Sequence, residues 1–267
     1  MGFLINPYLV QPSSAYDSDA QAFFTAAGIT NTTQKSAVNQ LVLDLKSYSI
    51  WTKMKALYPF VGGTATTHKY NLKDPQDTDA AFRLVFSGGW THSSTGAKPN
   101  GSNAYADTKY NNQSNSQLNS SHLSYYSLTN TSGAEAEMGC YNSVLDAGYF
   151  MNFYFTPGNY KGLNAGSTNV GSAYIPTTGF LLGNRPNSTT EKYFHKGSLI
   201  DNLTKNSKQT INLNVFIGTH NFNGSPLSYY TQKECAFASI GDGLSDTEAA
   251  NLYTAVQAFQ TTLSRNI

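Results

Sequence analysis

Glu135 and Glu137 flank Ala136, so an extended chain would place both carboxylates on one face of a strand. Two carboxylates about 5 Å apart are the arrangement that retaining glycoside hydrolysis requires. No further acid stands near this pair, and the E-x-D-x-x-E pattern that some glycoside hydrolases carry on one strand is absent. We therefore interpret the two glutamates as a solvated strand edge and predict that the protein is not an enzyme.

The other reactive residue types lack the spacing that nucleophilic or metal chemistry needs. The sequence has no G-x-S-x-G elbow for a serine nucleophile. Asp242 and Asp246 flank a turn and could offer oxygens to calcium, but turn and capping roles already account for both. The histidines stand singly, without metal-ligand spacing, at His68, His92, His122, His195 and His220. We predict neither a metal nor a cofactor.

Aromatic residues in predicted loops are the better candidates for a binding role. Trp90 and His92 follow a pair of glycines, and Tyr229 and Tyr230 follow Pro226. Amphipathic rings at loop ends can stack on a sugar or anchor a protein partner. The alternative is that they pack on their own domain. We take these four as candidate ligand or partner contacts.

Composition excludes several classes of partner. Charged residues make up 12% of the 267 residues and the net charge is +1, so no field attracts nucleic acid or an acidic membrane. The apolar start of the chain is too short for a signal peptide, so we expect synthesis in a cytoplasm and no membrane partner. Cys140 and Cys235 are predicted to be buried free thiols, with one long-range disulfide as the alternative.

Residues 1–60 are predicted to form a helical arm. One helix runs from Ala20 and stops at Gly28, a second begins at Asn31 or Thr33, and a third covers residues 50–58. Three short helices cannot bury their apolar faces alone. We therefore expect the arm to dock on a partner or to form a homo-oligomer.

Residues 61–267 are predicted to form a β domain closed by a helix. Ser245 and Glu248 form a capping box at the start of that helix, and residues 95–121 are interpreted as a polar surface loop or rim. Short apolar runs separated by Gly, Asn, Ser and Pro are typical of an antiparallel β-sandwich. The predicted strands are 81–87, 123–127, 148–155, 179–183, the hairpin around Tyr193, 211–217 and 236–240.

The ending GDGLSDTEAANLY closely resembles the end of laminin-G-like, or concanavalin A-like, domains, and the KYFHKGSLI segment is similar to a hairpin of that family. The resemblance implies an all-β jelly roll with the helical arm before it and the helix at its C-terminal end. Such sandwiches serve as spacers, lectins and enzymes alike.

A second resemblance covers nearly the whole chain. The run LVLDLKSYSIWTKMKALYPFVGGTATTHKYNLKDP, together with FSGGWTHSSTG, resembles virion-associated proteins of tailed bacteriophages, including crAss-like phages. It implies a non-enzymatic structural component of the virion, at head, neck or tail, with other virion proteins as partners and synthesis in the host bacterial cytoplasm. The alternative is an adhesin that binds host surface glycans, and a glycan-cleaving enzyme would need a carboxylate pair in a groove.

Overall fold

The computed structural model describes residues 16–152, 159–170 and 177–267. Its helices are α1 (Ser18–Ala27), α2 (Thr32–Ser47), α3 (Ala65–His68), α4 (Asn112–Asn115) and α5 (Asp246–Thr262), with short 3-10 helices at Trp51–Lys53 and Asp79–Ala81. No helix among the described residues is long and apolar enough to cross a membrane.

The strands account for most of the remaining described chain. They are β1 (Met54–Tyr58), β2 (Val85–Ser87), β3 (Trp90–His92), β4 (Ala97–Pro99), β5 (Tyr105–Asn111), β6 (Ser121–Ser127), β7 (Met138–Asn142), β8 (Ala147–Met151), β9 (Asn159–Ala165), β10 (Thr168–Val170), β11 (Gly179–Asn187), β12 (Thr190–His195), β13 (Ser198–Thr204), β14 (Asn214–Ile217), β15 (His220–Phe222), β16 (Ser225–Pro226) and β17 (Cys235–Gly241).

The strands form two sheets that face each other across a core. The first has the order β13-β12-β11-β6-β17-β4-β3, with β1 also paired to β17, and the second has the order β10-β9-β8-β7-β14-β5-β2, with β15 and β16 added beside β7. All pairs between these strands are antiparallel except β15 with β7. Tyr125 and Ala238 of the first sheet meet Met138, Tyr149 and Val215 of the second in the core. The predicted antiparallel β-sandwich with N-terminal and C-terminal helices is confirmed.

Helices α1, α2 and α5 pack on the outer face of the first sheet. Asp17 caps α1, whose C-terminal end turns at Gly28 with φ of 66°, and Asn31 caps α2. Apolar residues of α1, α2 and α5 join Phe180 and Phe237 of the sheet in a second core. The apolar faces that motivated docking are therefore covered within the chain, while self-association itself stays a prediction.

The third predicted helix is wrong. Residues 51–53 form one turn of 3-10 helix, and the chain then continues as β1, where Leu57 pairs with Ser239 and Tyr58 with Ala238. Both faces of β1 are buried, so the strand has a nearly continuous apolar sequence. Periodicity alone cannot distinguish such a run from a buried helix.

The predicted loop at 95–121 is also wrong in large part. It contains β4, β5 and α4, and ends at the start of β6. Ala106, Thr108 and Tyr110 face the core at alternate positions of β5, and the Thr108 hydroxyl donates to the Val215 carbonyl at 2.7 Å. A strand that buries Ala and Thr lacks the strongly apolar alternation by which strands are recognised.

Two further predictions fall partly outside the described residues. The strand predicted at 148–155 corresponds to β8 as far as Met151, and residues 153–155 lie outside the described ranges, as do residues 1–15 of the arm. Cys140 and Cys235 are both buried with free thiols, as predicted.

Candidate functional site

A cavity of about 310 Å³ lies on the second sheet, on the side away from the core. In β7 and β8, Cys140 and Tyr149 face the core, and their neighbours Tyr141 and Phe150 point to the opposite side because side chains alternate along a strand. The described residues that line the cavity are Tyr141, Phe150, Asn152, Ser167, His220, Phe222, Leu227 and Tyr229.

Two glycines allow the ring of Phe150 to lie against the sheet. Gly139 is the cross-strand partner of Phe150, and Gly148 precedes it by two residues on the same face. A Cβ added to Gly148 would lie 2.6 Å from two carbon atoms of the Phe150 ring, and one added to Gly139 would overlap the Phe150 Cβ. The ring can form the floor of the cavity only because these two positions lack a side chain.

Aromatic rings build the walls of the cavity around Phe150. Tyr141 meets Phe150 edge to face, with ring centroids 5.6 Å apart, and stacks with Phe222 at 5.9 Å. The His220 ring lies 4.9 Å from that of Phe150. Residues 220 and 222 reach this place because β15 pairs in parallel with β7. The result is a recess with apolar faces and few polar atoms.

Two of those polar atoms are buried without a hydrogen bond among the described residues. They are Oδ1 of Asn152 and Nε2 of His220. Burial lowers the pKa of His220 to about 4, against the smaller opposing effect of a hydrogen bond with the Met151 backbone, so the ring is neutral at pH 7. An unmade buried hydrogen bond costs about 1–3 kcal/mol, so a ligand that pairs with these atoms would recover free energy.

The described lining has no charged side chain. A carboxylate is bonded to the lining at the Tyr141 wall, where the tyrosine hydroxyl donates to Asp146 Oδ1 at 2.9 Å. Lys208 Nζ pairs with the other oxygen of Asp146 at 3.3 Å. The hydrogen bond from Tyr141, aided by Lys208, holds the pKa of Asp146 below its usual value. The lysine is therefore engaged by its own carboxylate.

Tyr229 is the predicted contact residue that the structure places in the cavity lining, and its side chain is 42% exposed. Its backbone carbonyl accepts from the Ala136 N–H at 2.9 Å, and Tyr230 forms an isolated β-bridge with the same alanine. Tyr230 is not among the lining residues. The segment that carries Tyr229 is thus attached to Ala136, the residue between the two glutamates.

The two glutamates form a buried ion cluster with Lys233, so their interpretation as a solvated edge is wrong. Lys233 Nζ lies 2.9 Å from Glu135 Oε2 and 2.5 Å from Glu137 Oε1, and the side chains of Lys233 and Glu137 are fully buried. The Thr231 hydroxyl also donates to Glu135, at 2.8 Å. The lysine is almost a hundred residues away in sequence, which is why spacing did not reveal it.

Charge pairing outweighs burial in this cluster. Burial disfavours the Glu135 carboxylate, but Lys233 and the threonine hydrogen bonds leave the pKa of Glu135 below its usual value. Burial likewise disfavours a charge on Lys233, yet the two carboxylates raise its pKa. Glu135 and Lys233 are therefore charged at neutral pH, and the cluster fixes residues 231–233 directly after Tyr229.

Trp90 and His92 lie outside the cavity lining. The half-buried Trp90 donates its indole N–H to the carbonyls of Ser87 and Tyr105, at 3.1 and 3.2 Å. His92 Nδ1 lies 3.0 Å from Nδ1 of the buried His68. These side chains are therefore engaged by their own domain, and the structure does not bring them together with Tyr229.

Sequence reasoning missed most of the cavity. Its walls come from β7, β8, β15 and the segment after β16, which are neighbours only in the folded sheet. One local signal was available, because Gly148, Phe150 and Asn152 alternate along one face of a predicted strand. No comparable signal marks His220 or Phe222.

Comparison with known proteins supports the fold. No protein-family model matches the chain, and no curated protein matches it. Domain 4 of AbnA, a GH43 extracellular arabinanase from Geobacillus stearothermophilus solved in complex with arabinotriose, matches with a TM-score of 0.51 at 13% identity, over 75% of this chain and 98% of that one. A CBM40 module of the Ruminococcus gnavus IT-sialidase, bound to alpha2,3 sialyllactose, matches with a TM-score of 0.38 at 15% identity, over 49% and 80%.

A third match is to the Trypanosoma rangeli sialidase, with a TM-score of 0.45 at 8% identity, over 82% of this chain and 38% of that one. The similarity to domain 4 of AbnA, together with the two facing sheets, shows the fold: a β-sandwich. The part of the sequence-based assignment that concerns this fold is confirmed. The assignment to a bacteriophage virion stays a prediction.

Proposed function

We propose that this protein binds a carbohydrate in the aromatic cavity of the second sheet. One observation carries the proposal: Asn152 Oδ1 and His220 Nε2 are buried, without a hydrogen-bond partner among the described residues, at a cavity walled by aromatic rings. Sugars present apolar C–H faces beside hydroxyl groups, so one ligand can cover the rings and pair with both atoms. The arabinotriose complex of AbnA shows a domain of similar fold with an oligosaccharide, and supports the proposal at the level of the fold.

Binding without cleavage is the activity that we propose. The described residues of the cavity lining include no carboxyl group that could act as general acid, base or nucleophile. Glu135 and Glu137 are engaged by Lys233 in a buried cluster and do not line the cavity. A protein with these features would hold a glycan and leave its glycosidic bonds intact.

The setting that we propose is the virion of a tailed bacteriophage, with the sandwich acting as an adhesin for glycans of the host surface. The resemblance of LVLDLKSYSIWTKMKALYPFVGGTATTHKYNLKDP to virion-associated proteins supports this setting. The protein would then be made in the bacterial cytoplasm and would contact other virion proteins. Immunogold labelling of particles from a phage that encodes this chain would test it.

Binding can be tested on a glycan array with the wild type and two alanine variants. Tyr229→Ala removes an exposed ring of the cavity and should weaken binding of the glycans that the wild type retains by about tenfold, equivalent to 1.4 kcal/mol. Trp90→Ala is the matched control, since it removes an aromatic ring outside the cavity and should leave binding unchanged. Loss of binding in the control alone would move the site to Trp90, and an array without any bound glycan would overturn the proposal.

A further inference from the structure

We infer that the cavity selects a neutral sugar, held by hydroxyl groups that donate to Asn152 and His220, and that it rejects sugar acids. This inference rests on the proposed function and narrows the class of ligand. It follows from the chemistry of the two unpaired atoms, the charge of the lining and the size of the recess.

The unpaired atom of Asn152 is an amide oxygen, which can only accept a hydrogen bond. A ligand group that satisfies it must therefore donate. The ring of the neutral His220 donates to the Met151 backbone, so its other nitrogen, Nε2, carries no proton and also accepts. Two hydroxyl groups of one sugar can donate one hydrogen bond to each of these atoms. A carboxylate has acceptors alone and would face the amide oxygen with repulsion.

The charge of the cavity lining also favours a neutral sugar over a sugar acid. Burying a carboxylate is costly unless a cation or several donors meet it, and the described lining contains neither Lys nor Arg. Lys208, beside the Tyr141 wall, pairs with Asp146. An acidic sugar would approach a wall that already carries a carboxylate hydrogen-bonded to Tyr141.

The size of the cavity suits one terminal sugar unit. Its volume of about 310 Å³ lies at the lower end of the roughly 300–1,000 Å³ that small-molecule sites span. Phe150, Asn152 and His220 line this one recess, so a ligand of that size lies beside all three. A longer glycan would extend out past the exposed Tyr229.

Matched sugar pairs test the selection directly. Isothermal titration with methyl glucoside and methyl galactoside, each beside its uronic acid, and with N-acetylneuraminic acid would separate hydroxyl from carboxylate ligands. We expect at least one neutral sugar to bind at least tenfold more tightly than its acid. Equal or tighter binding of an acid would overturn the inference while the proposed carbohydrate binding stands. If no neutral or acidic sugar binds, the proposed function fails and the inference falls with it.

A second measurement assigns the hydroxyl contact to Asn152. The monodeoxy analogue that lacks the contacting hydroxyl should bind the wild type about tenfold more weakly than its parent sugar, and Asn152→Leu should bind the two equally. Circular dichroism would verify that Asn152→Leu is folded, because the substitution removes the amide nitrogen of Asn152 as well as its unpaired oxygen. Discrimination that survives in Asn152→Leu would place the hydroxyl elsewhere and overturn the assignment.

Discussion

Replacing Lys233 by methionine should strongly destabilise the fold, although the methionine side chain nearly fills the space of the lysine. The substitution removes the cation that lies 2.9 Å from Glu135 and 2.5 Å from Glu137 and leaves two carboxylates facing each other in a buried site. Breaking a buried ion pair by removing one partner costs about 3–5 kcal/mol. For a chain of this size each kcal/mol lowers the melting temperature by about 2–4 °C, so the expected drop is roughly 6–20 °C.

Urea denaturation followed by tryptophan fluorescence would measure the loss, with Lys192→Met as the matched control. Lys192 pairs with Asp246, whose side chain is 66% exposed, and such surface pairs contribute about 0–1 kcal/mol. Adding Glu135→Gln and Glu137→Gln to Lys233→Met should recover part of the loss, because the unpaired charges are gone.

The loss should also depend on pH. Lys233 holds the pKa of Glu135 below its usual value, so the stability that this pair contributes is present above the unfolded-state pKa and is lost as pH falls through the folded-state pKa. In the variant the buried carboxyls can take up protons, so its deficit relative to the wild type should shrink from pH 7 toward pH 4. A deficit as small as that of Lys192→Met, or one independent of pH, would refute this reasoning.

Three further outcomes are expected. Deleting residues 1–60 should give a chain that aggregates, because the deletion removes β1 and exposes Phe237 on the outer face of the first sheet. A folded, monodisperse fragment in analytical ultracentrifugation would contradict this. Burial raises the pKa of Cys140 and Cys235, so Ellman's reagent should detect both thiols in denaturant and neither in the native protein. Burial lowers the pKa of His122 to about 4, so the unfolded chain binds an extra proton between pH 6.5 and 4. Stability should therefore fall as pH drops through that window. His122→Gln should reduce the slope of the urea midpoint against pH there, and His220 should account for part of the slope that remains.

Local signals predicted the ends of α1 and α5 well, whereas the third predicted helix was wrong. At α5 the Ser245 N–H donates to Glu248 Oε2 at 2.7 Å and the Glu248 N–H donates to Ser245 Oγ at 3.3 Å, as the capping box requires. Gly28, which ends α1 in a left-handed conformation, was also predicted from the sequence. In each case the partners lie within a few residues of one another, so the sequence contains the whole interaction.

Strands whose partners are distant were harder to predict. β1 has the composition of a helix segment and becomes a strand because β17, nearly two hundred residues later, offers an edge for pairing. β5 buries Ala106 and Thr108 because Val215 accepts the threonine hydroxyl across the sheet. Neither of these long-range contacts can be recognised from the local pattern of apolar residues.

The sequence by itself determined the layered β architecture, the caps of its helices, the free thiols and the absence of a strong net charge, since these depend on composition and on short-range spacing. Only the tertiary structure decided what the chemistry-bearing residues do. Pairing of β15 with β7 brought His220 and Phe222 beside Phe150, and the approach of Lys233 turned two apparently exposed glutamates into a buried support for the segment of Tyr229. Long-range strand pairing sets those distances, and no local periodicity encodes them.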